Sequence, residues 1–412
     1  MPTATQPGHR PQIGVLRGSA LYVGALIGPG LLLVPGLGVQ VAGPASILAW
    51  VALLVLSAPL AATFAALGVR FPVADGVSAY VRAGLGDAAA AVTGGWFLAA
   101  VVLGAPAVSL IGGYYVADLT GSGSAVAIIV ALVMFGVVLG SNALGLRVSS
   151  ALQLALSTLL VAVLAAAIAV ALPERGGNNW TPFAPHGWWA VGTAANILVW
   201  LFVGWEGVAQ LAGDFRRPSV DLPRAIAVAF AVVTVLYISL AIATIAVTGG
   251  SPSHVPLADL ISVGFGRVGR DATALLALAL TMGTMNVYLG GAAKLAAALA
   301  HTGAVPRWLG AGGRTVPLRP LALFAVIGIV LLGGLAVGLL NAKDLIRATS
   351  SLFVGVYVLA IASAVRILRG RARVTALAAV IMVAIVACFS GWYVVVPAIV
   401  AVLSLLQSAR YR

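Results

Sequence analysis

The chain of 412 residues has little of what water-soluble proteins carry on their surfaces. Only 8% of its residues are charged, against 62% hydrophobic. That balance excludes a soluble globular domain and points to a polytopic membrane protein. A single cysteine, Cys388, excludes an internal disulfide framework and reads as a small apolar side chain. The four histidines, His9, His186, His254 and His301, are scattered over polar ends and loops, so neither a resident metal nor a cofactor is expected. The sequence holds no HExxH, no GxSxG and no GxxxxGK[ST]. A membrane-embedded hydrolase and an ATP-driven pump are therefore unsupported, and the chain is not expected to be an enzyme. The first dozen residues are polar and lack a cleavable signal pattern.

What is present is a succession of apolar runs, each near the roughly 20 residues that one bilayer crossing needs. Spans are expected at 13–41, 45–69, 88–117, 124–142, 148–172, 190–213, 223–248, 270–293, 320–340, 345–367, 374–390 and 392–408. The boundary at Ser390-Gly391-Trp392 is the least marked of these. With both termini placed in the cytoplasm, most of the 23 Lys and Arg fall on cytoplasmic segments. Arg175, Arg267, Arg270, Lys343 and Arg347 fall outside, and Lys294 lies within a helix. This is the positive-inside bias, with basic side chains favoured by anionic lipid. It accounts for the net charge of +13 without nucleic acid. Trp180, Trp188 and Trp189 fit an interfacial aromatic belt, and so do Tyr114 and Tyr115, which could instead line an outer vestibule.

The first run is broken. Its middle reads GALIGPGLLLVPG (24–36), with Gly24, Gly28, Gly30 and Gly36 beside Pro29 and Pro35. A partner break lies in NILVWLFVGWEGVAQLAGDF (196–215), with Gly204, Gly207 and the carboxylate Glu206. The two fall in expected helices one and six. Five helices per unit is an odd number, so a second copy enters the membrane from the opposite side. Corresponding discontinuous helices in inverted halves point to the central site of a secondary transporter. Most of the other glycines read as helix-packing residues. Unwinding frees amide N–H groups at one half-helix start and carbonyls at another half-helix end, poles that suit a zwitterion such as an α-amino acid. Pro29 fits the first position of the outer half-helix, leaving the N–H groups of Gly30 and Leu31 to donate.

These stretches resemble the amino acid–polyamine–organocation (APC) superfamily. GALIGPGLLLVPG is similar to its first-helix signature, and FVGWE followed by DFRRPSVDLPRAI (202–206, 214–226) to its sixth helix and next loop. FPVADGVSAYVRAGLG (71–86) and AAKLAAALAHTGAVP (292–306) are weaker matches. Within the superfamily, WLFVGWEGVAQLAGDFRRP is most like the bacterial exporter group for L-methionine and branched-chain amino acids.

The resemblance implies an all-α polytopic membrane protein with twelve transmembrane helices. These would form a 5+5 inverted repeat with discontinuous helices one and six, plus two C-terminal helices. The segments would be a cytoplasmic tail (1–12), a first five-helix repeat (13–172), an extracellular loop (173–189), a second, inverted repeat (190–368), and helices eleven and twelve with a cytoplasmic C-terminus (369–412). The expected place is the bacterial plasma (inner) membrane.

The resemblance also implies that a substrate carboxylate meets the backbone at Gly28–Leu31. The amine would meet carbonyls near Leu26, Trp200 and Val203, and Trp200 would stack on the substrate. The apolar surroundings of Ile27, Leu31, Trp200, Phe202 and Val203 suit a neutral apolar amino acid, and Gly204 completes the expected substrate site. The chain departs from the family pattern at Pro29, which replaces a small hydroxyl residue. It departs again in SSALQLALSTLL (149–160), which lacks the lysine of some proton-coupled relatives.

Glu206 is the carboxylate expected at mid-membrane depth, where an ionised group is costly and usually functional. It is a candidate proton carrier, with a hydrogen-bonded structural role as the competing reading. Lys294, some 20 residues from Asp271, is expected at the cytoplasmic end, snorkelling or joining an inner gate. Thr281, Thr284 and Asn286 fall together on expected helix eight and could ligate Na⁺, although interhelical hydrogen bonding is the commoner use of such residues. Expected partners are thus an amino acid, H⁺ or Na⁺ as coupling ion, membrane lipid and a second copy of the chain in a homodimer. A channel is the rival class, and broken helices in an inverted repeat favour alternating access over it.

Overall fold

The computed structural model describes residues 13–71, 76–146, 148–173, 179–205, 215–249, 251–310 and 317–410. Among these residues every regular element is helical, and the β-type contact is an isolated parallel bridge between Ile13 and Phe215. Among the described residues ten helical stretches are long and apolar enough to cross a bilayer, and two shorter apolar ones, Val15–Leu26 and Trp189–Phe202, accompany them. The long runs of Ala, Leu and Val form helices because only a helix satisfies its own backbone in hydrocarbon.

In chain order the helices are α1 (Val15–Leu26), α2 (Val34–Ala42), α3 (Ser46–Arg70), α4 (Gly76–Leu85), α5 (Asp87–Leu119), α6 (Ser124–Ala143) and α7 (Ser150–Ala171). There follow α8 (Trp189–Leu198), α9 (Pro218–Thr248), α10 (Pro256–His301), α11 (Leu318–Ala336), α12 (Ala342–Ile367), α13 (Arg371–Cys388) and α14 (Val395–Arg410). Helix α10 is two helices joined at a kink, where Gly266 sits at φ 56°.

The span expectations match α3, α5, α6 and α7 closely; the largest differences are extensions of α9 and α10, and α11 ends at Ala336 rather than 340. Helix α9 begins at Pro218 rather than 223, and α10 at Pro256 rather than 270. Both extensions start with proline in the first turn, where its missing N–H costs little. Asp221 then pairs with Arg217 at 3.0 Å across the start of α9. The tail at 1–12 lies outside the described residues. The Ser390 boundary proves to be a short 3₁₀ turn, Gly391–Val394, between α13 and α14.

Helices α5 and α12 form the centre and are buried along most of their length. Helix α5 packs on α10, α6 and α12, whereas α13 and α14 lie at the rim. Large apolar side chains are exposed in rows on the outer helices, such as Ile129, Val133 and Val137 on α6 and Ile381 and Ile385 on α13. Contiguous exposed apolar surface of this extent marks contact with lipid. Trp188 and Trp189 are exposed near one rim, as expected of a belt. Tyr115 is fully buried, so the belt and vestibule readings both fail for it.

Candidate binding cavity at two helix breaks

The first break begins where α1 ends at Leu26. Gly28 is extended (φ −117°, ψ −174°), and Pro29 opens a 3₁₀ turn, Pro29–Leu32, before α2 starts at Val34. Pro29 therefore starts a helical turn, as expected, but a tight one. That tightness changes the donor set. The Leu31 N–H is taken by the Gly28 carbonyl at 3.1 Å, which leaves the N–H groups of Gly28 and Gly30, ahead of the turn's first bond, as its remaining donors. A Cβ built on Gly28 meets nothing within 4 Å, because the residue faces open space; one on Gly30 comes within 2.9 Å of Leu201.

The second break follows α8. A 3₁₀ turn, Val199–Phe202, gives way to extended Val203, and Gly204 takes φ 141°, a backbone that favours glycine. A Cβ on Gly204 would lie 3.0 Å from the Ala25 carbonyl oxygen, so the two breaks touch here. Trp205 then anchors the chain by donating its indole N–H to Ser57 at 2.7 Å.

Breaking a buried helix leaves carbonyls unserved, each a loss of roughly 1–3 kcal/mol. Three buried tyrosines supply the partners. The Tyr237 hydroxyl lies 2.9 Å from the Leu26 carbonyl and 2.8 Å from that of Leu201, bridging the two breaks. Tyr115 donates to the Leu32 carbonyl at 2.8 Å. The Tyr357 hydroxyl lies 3.4 Å from the Phe202 carbonyl and accepts the Gly204 N–H at 3.3 Å.

Between the breaks lies a cavity of about 270 Å³. Of the residues expected to bind, Leu26, Ile27, Gly28, Gly30, Trp200 and Val203 line it. Leu31, Phe202 and Gly204 stand behind its wall. Phe202 packs edge-on to Tyr237 at 5.3 Å and beside Trp50, and Leu31 is buried. The cause is the 3₁₀ geometry, which turns successive side chains by about 120° rather than 100° and changes which ones face inward. The opposite wall was not legible in the sequence: Gly104, Val108, Thr349 and Phe353 come from α5 and α12, and Gln153 from α7. Gly104 keeps its wall thin, since a Cβ there would lie 3.2 Å from Thr349 and 3.8 Å from Trp200. Gln153 stands in the segment noted for its missing lysine and donates to Thr284 at 3.2 Å. Its Oε1 and the Thr349 hydroxyl are buried without a partner among the described residues. No charged side chain lines the cavity among the described residues.

The three candidate cation ligands do not converge. Thr284 lines the cavity, but Thr281 donates back to the Ala277 carbonyl at 2.7 Å. Asn286 turns toward α6, donating to Ser141 at 2.9 Å and accepting the Val148 N–H at 3.1 Å. Lys294 lines a second space of about 490 Å³, which shares Gly24, Ala25, Gln153 and Val287 with the central cavity. The two spaces thus share a wall of α1, α7 and α10 residues, which sets the Lys294 space beside the central cavity. Glu206 and Gly207 lie outside the described residues.

The other end is held together by polar contacts. Arg270 stands 24 positions before Lys294 on α10, about 36 Å away along a straight helix. Its guanidinium meets Asp118 at 2.6 Å and Asp259 at 2.8 Å, and Asp259 also bonds Ser253. Gln40 on α2 donates to the Ser253 carbonyl at 3.2 Å, and Tyr114 stacks on His254 at 4.3 Å. Burial, and then the charge of Lys343, lower the His254 pKa, so that stack holds a neutral imidazole. Tyr114 is thereby part of this closure.

A family model described as "Amino acid permease" matches residues 13–409. An uncharacterized amino acid permease of Bacillus subtilis, YecA, is 33% identical over 94% of this chain and 92% of its own length. The L-methionine/branched-chain amino acid exporter YjeH of Escherichia coli is 27% identical, with 93% of each chain covered. The branched-chain amino acid permease BcaP of Bacillus subtilis is 26% identical over 58% of this chain and 55% of its own.

Proposed function

The chain belongs to the amino acid permease family, and from that premise we propose that it exports neutral apolar L-amino acids (methionine, leucine, isoleucine and valine) by alternating access. The observation that carries this reading is the central cavity. It is lined by Gly28 and Gly30 at the start of a helical turn, where N–H groups lack an intrahelical partner, by buried oxygens of Gln153 and Thr349 that have no partner among the described residues, and by mostly apolar walls. An amino acid's carboxylate suits the former and its ammonium the latter, while an uncharged side chain suits Trp200, Val108 and Phe353. A cationic or acidic side chain would be buried there without a counter-charge, which is costly. Likeness to the Escherichia coli exporter supports outward transport. Likeness to the Bacillus branched-chain permease supports uptake of the same substrates as the second reading.

The architecture proposed with this function is twelve spans in two inverted five-helix repeats, α1–α2 and α8 with the segment after it being the two broken helices. Support comes from the matching α-to-3₁₀ interruptions and from the bridge that joins Ile13, before α1, to Phe215, just past the second broken segment. With both termini in the cytoplasm of a bacterial cell, the cavity opens inward in this conformation. Proton exchange at Glu206 is the proposed coupling, since no cation site assembles from Thr281, Thr284 and Asn286.

Counterflow in proteoliposomes tests the function. Radiolabelled leucine should enter faster when vesicles are preloaded with methionine, and arginine and glutamate should not compete. Passive conductance without trans-stimulation would indicate a channel and overturn the reading. Glu206→Gln tests the coupling separately: exchange should persist while the pH dependence of net transport disappears.

A further inference from the structure

Away from the central cavity lies a groove of about 690 Å³ between α3, the first half of α9 and the turn joining α12 to α13. We propose that this groove binds one anionic glycerophospholipid, its phosphate held by Arg70 and Arg369 and one acyl chain laid along the alanine face of α3.

The groove exists because of where α3 changes its lipid-facing residues. Its first half exposes Leu48, Val51 and Val55, as a lipid-facing helix ordinarily does. Its second half instead lines the groove with Ala58, Ala62 and Ala65, followed by Val69 and Arg70. These positions share one helical face. The methyl side chains of Ala58, Ala62 and Ala65 leave a slot that α9 walls with Ser219, Pro223 and Phe230.

The slot has the polarity of a phospholipid. Arg70, Ser219 and Arg369 gather at one end, whereas Ala58 and Phe230 close the other. Ala58 to Arg70 covers about 18 Å of helix, close to the roughly 15 Å of hydrocarbon in one leaflet. Neither arginine has an ion pair or a hydrogen bond among the described residues, although Arg82, Arg217, Arg267 and Arg270 all have carboxylate partners. Two unpaired guanidiniums at the mouth of an apolar slot complement a phosphate joined to an acyl chain.

The groove also reaches the second helix break. Phe230, at its apolar end, lies 6.3 Å from the ring of Trp205, the residue after the Gly204 break, and Trp205 is tied to Ser57, next to Ala58. An acyl chain in the slot would press on the wall that holds the second break in place.

Native mass spectrometry of the full-length protein, titrated with palmitoyl-oleoyl phosphatidylglycerol or phosphatidylcholine, tests the proposal. One phosphatidylglycerol should be retained, and phosphatidylcholine bound far more weakly. The double variant R70Q/R369Q should weaken phosphatidylglycerol binding by about thirtyfold, from about 1 kcal/mol for each lost arginine. Ala62→Phe, or Ala227→Leu on the other wall, keeps both charges but fills the slot, and should abolish the retained adduct. Equal retention of the two lipids would overturn the proposal. So would undiminished phosphatidylglycerol binding by R70Q/R369Q or by both slot-filling variants, or a dimer that the slot-filling variants dissociate.

Discussion

Tyr237→Phe removes one oxygen atom from the point where the two broken helices meet. The ring should stay, because its packing against Trp50 and Phe202, both at 5.3 Å, does not use the hydroxyl. What goes is the shared donor to the Leu26 and Leu201 carbonyls. Both carbonyls belong to buried residues, and each is freed by the end of a helix or a tight turn. One hydroxyl proton divided between two acceptors is worth about one hydrogen bond. Leaving the pair unserved costs about 1–3 kcal/mol rather than twice that. The penalty falls on the arrangement described here, in which the breaks touch and the cavity opens toward Lys294. The equilibrium should therefore move away from it by about ten- to hundredfold. Val287 lines both cavities and is half exposed, so a cysteine there reports the opening once Cys388 is replaced by serine. Labelling of Val287→Cys by a maleimide added from the Lys294 side should slow markedly in the Tyr237→Phe background, and leucine exchange should fall with it. Labelling and exchange both within twofold of the parent protein would refute the bridging role.

Three other outcomes follow from the same geometry. Gly28→Ala should fold and express normally, since the added methyl meets nothing, yet weaken apparent leucine affinity by tenfold or more by intruding on the cavity; unaltered affinity would place the substrate elsewhere. Gly204→Ala forces a side chain into a left-handed conformation at 3.0 Å from the Ala25 carbonyl, so a loss of about 1–3 kcal/mol is expected in thermal melting, and wild-type melting would contradict it. His254, its pKa lowered chiefly by burial, contributes its stacking fully above the ordinary histidine value near 6.5 and loses it as pH falls toward the lowered folded value. Melting at pH 7.5 and 5.5 should accordingly show a smaller acid loss for His254→Phe than for the parent, and equal losses would remove histidine from the closure.

The breaks were legible in the sequence because glycine and proline in an apolar run have few other uses. Their position, the role of Pro29 and six of the nine expected cavity residues could be read from that signal. The chemistry that makes the breaks tolerable could not. Tyr237 and Tyr115 reach their carbonyls across separations of 211 and 83 residues, and nothing local to VLYISL or GGYYVA marks either hydroxyl as a partner. Leu31 and Phe202 leave the cavity wall for a local reason: the chain tightens into 3₁₀ turns there and departs from α-helical periodicity. Asn286 illustrates a third limit. It shares a helix and a depth with Thr284, but a two-residue offset turns it some 200° away, into hydrogen bonds with α6 and the loop after it.

The central claim is that an apolar amino acid sits between the two breaks, with its carboxylate on the backbone of the first. An experimental structure of the protein saturated with leucine tests it most directly. Leucine should occupy the central cavity, its carboxylate within hydrogen-bonding distance of the Gly28 and Gly30 N–H groups and its side chain against Trp200. Leucine bound elsewhere, or an empty cavity at concentrations that saturate transport, would contradict it.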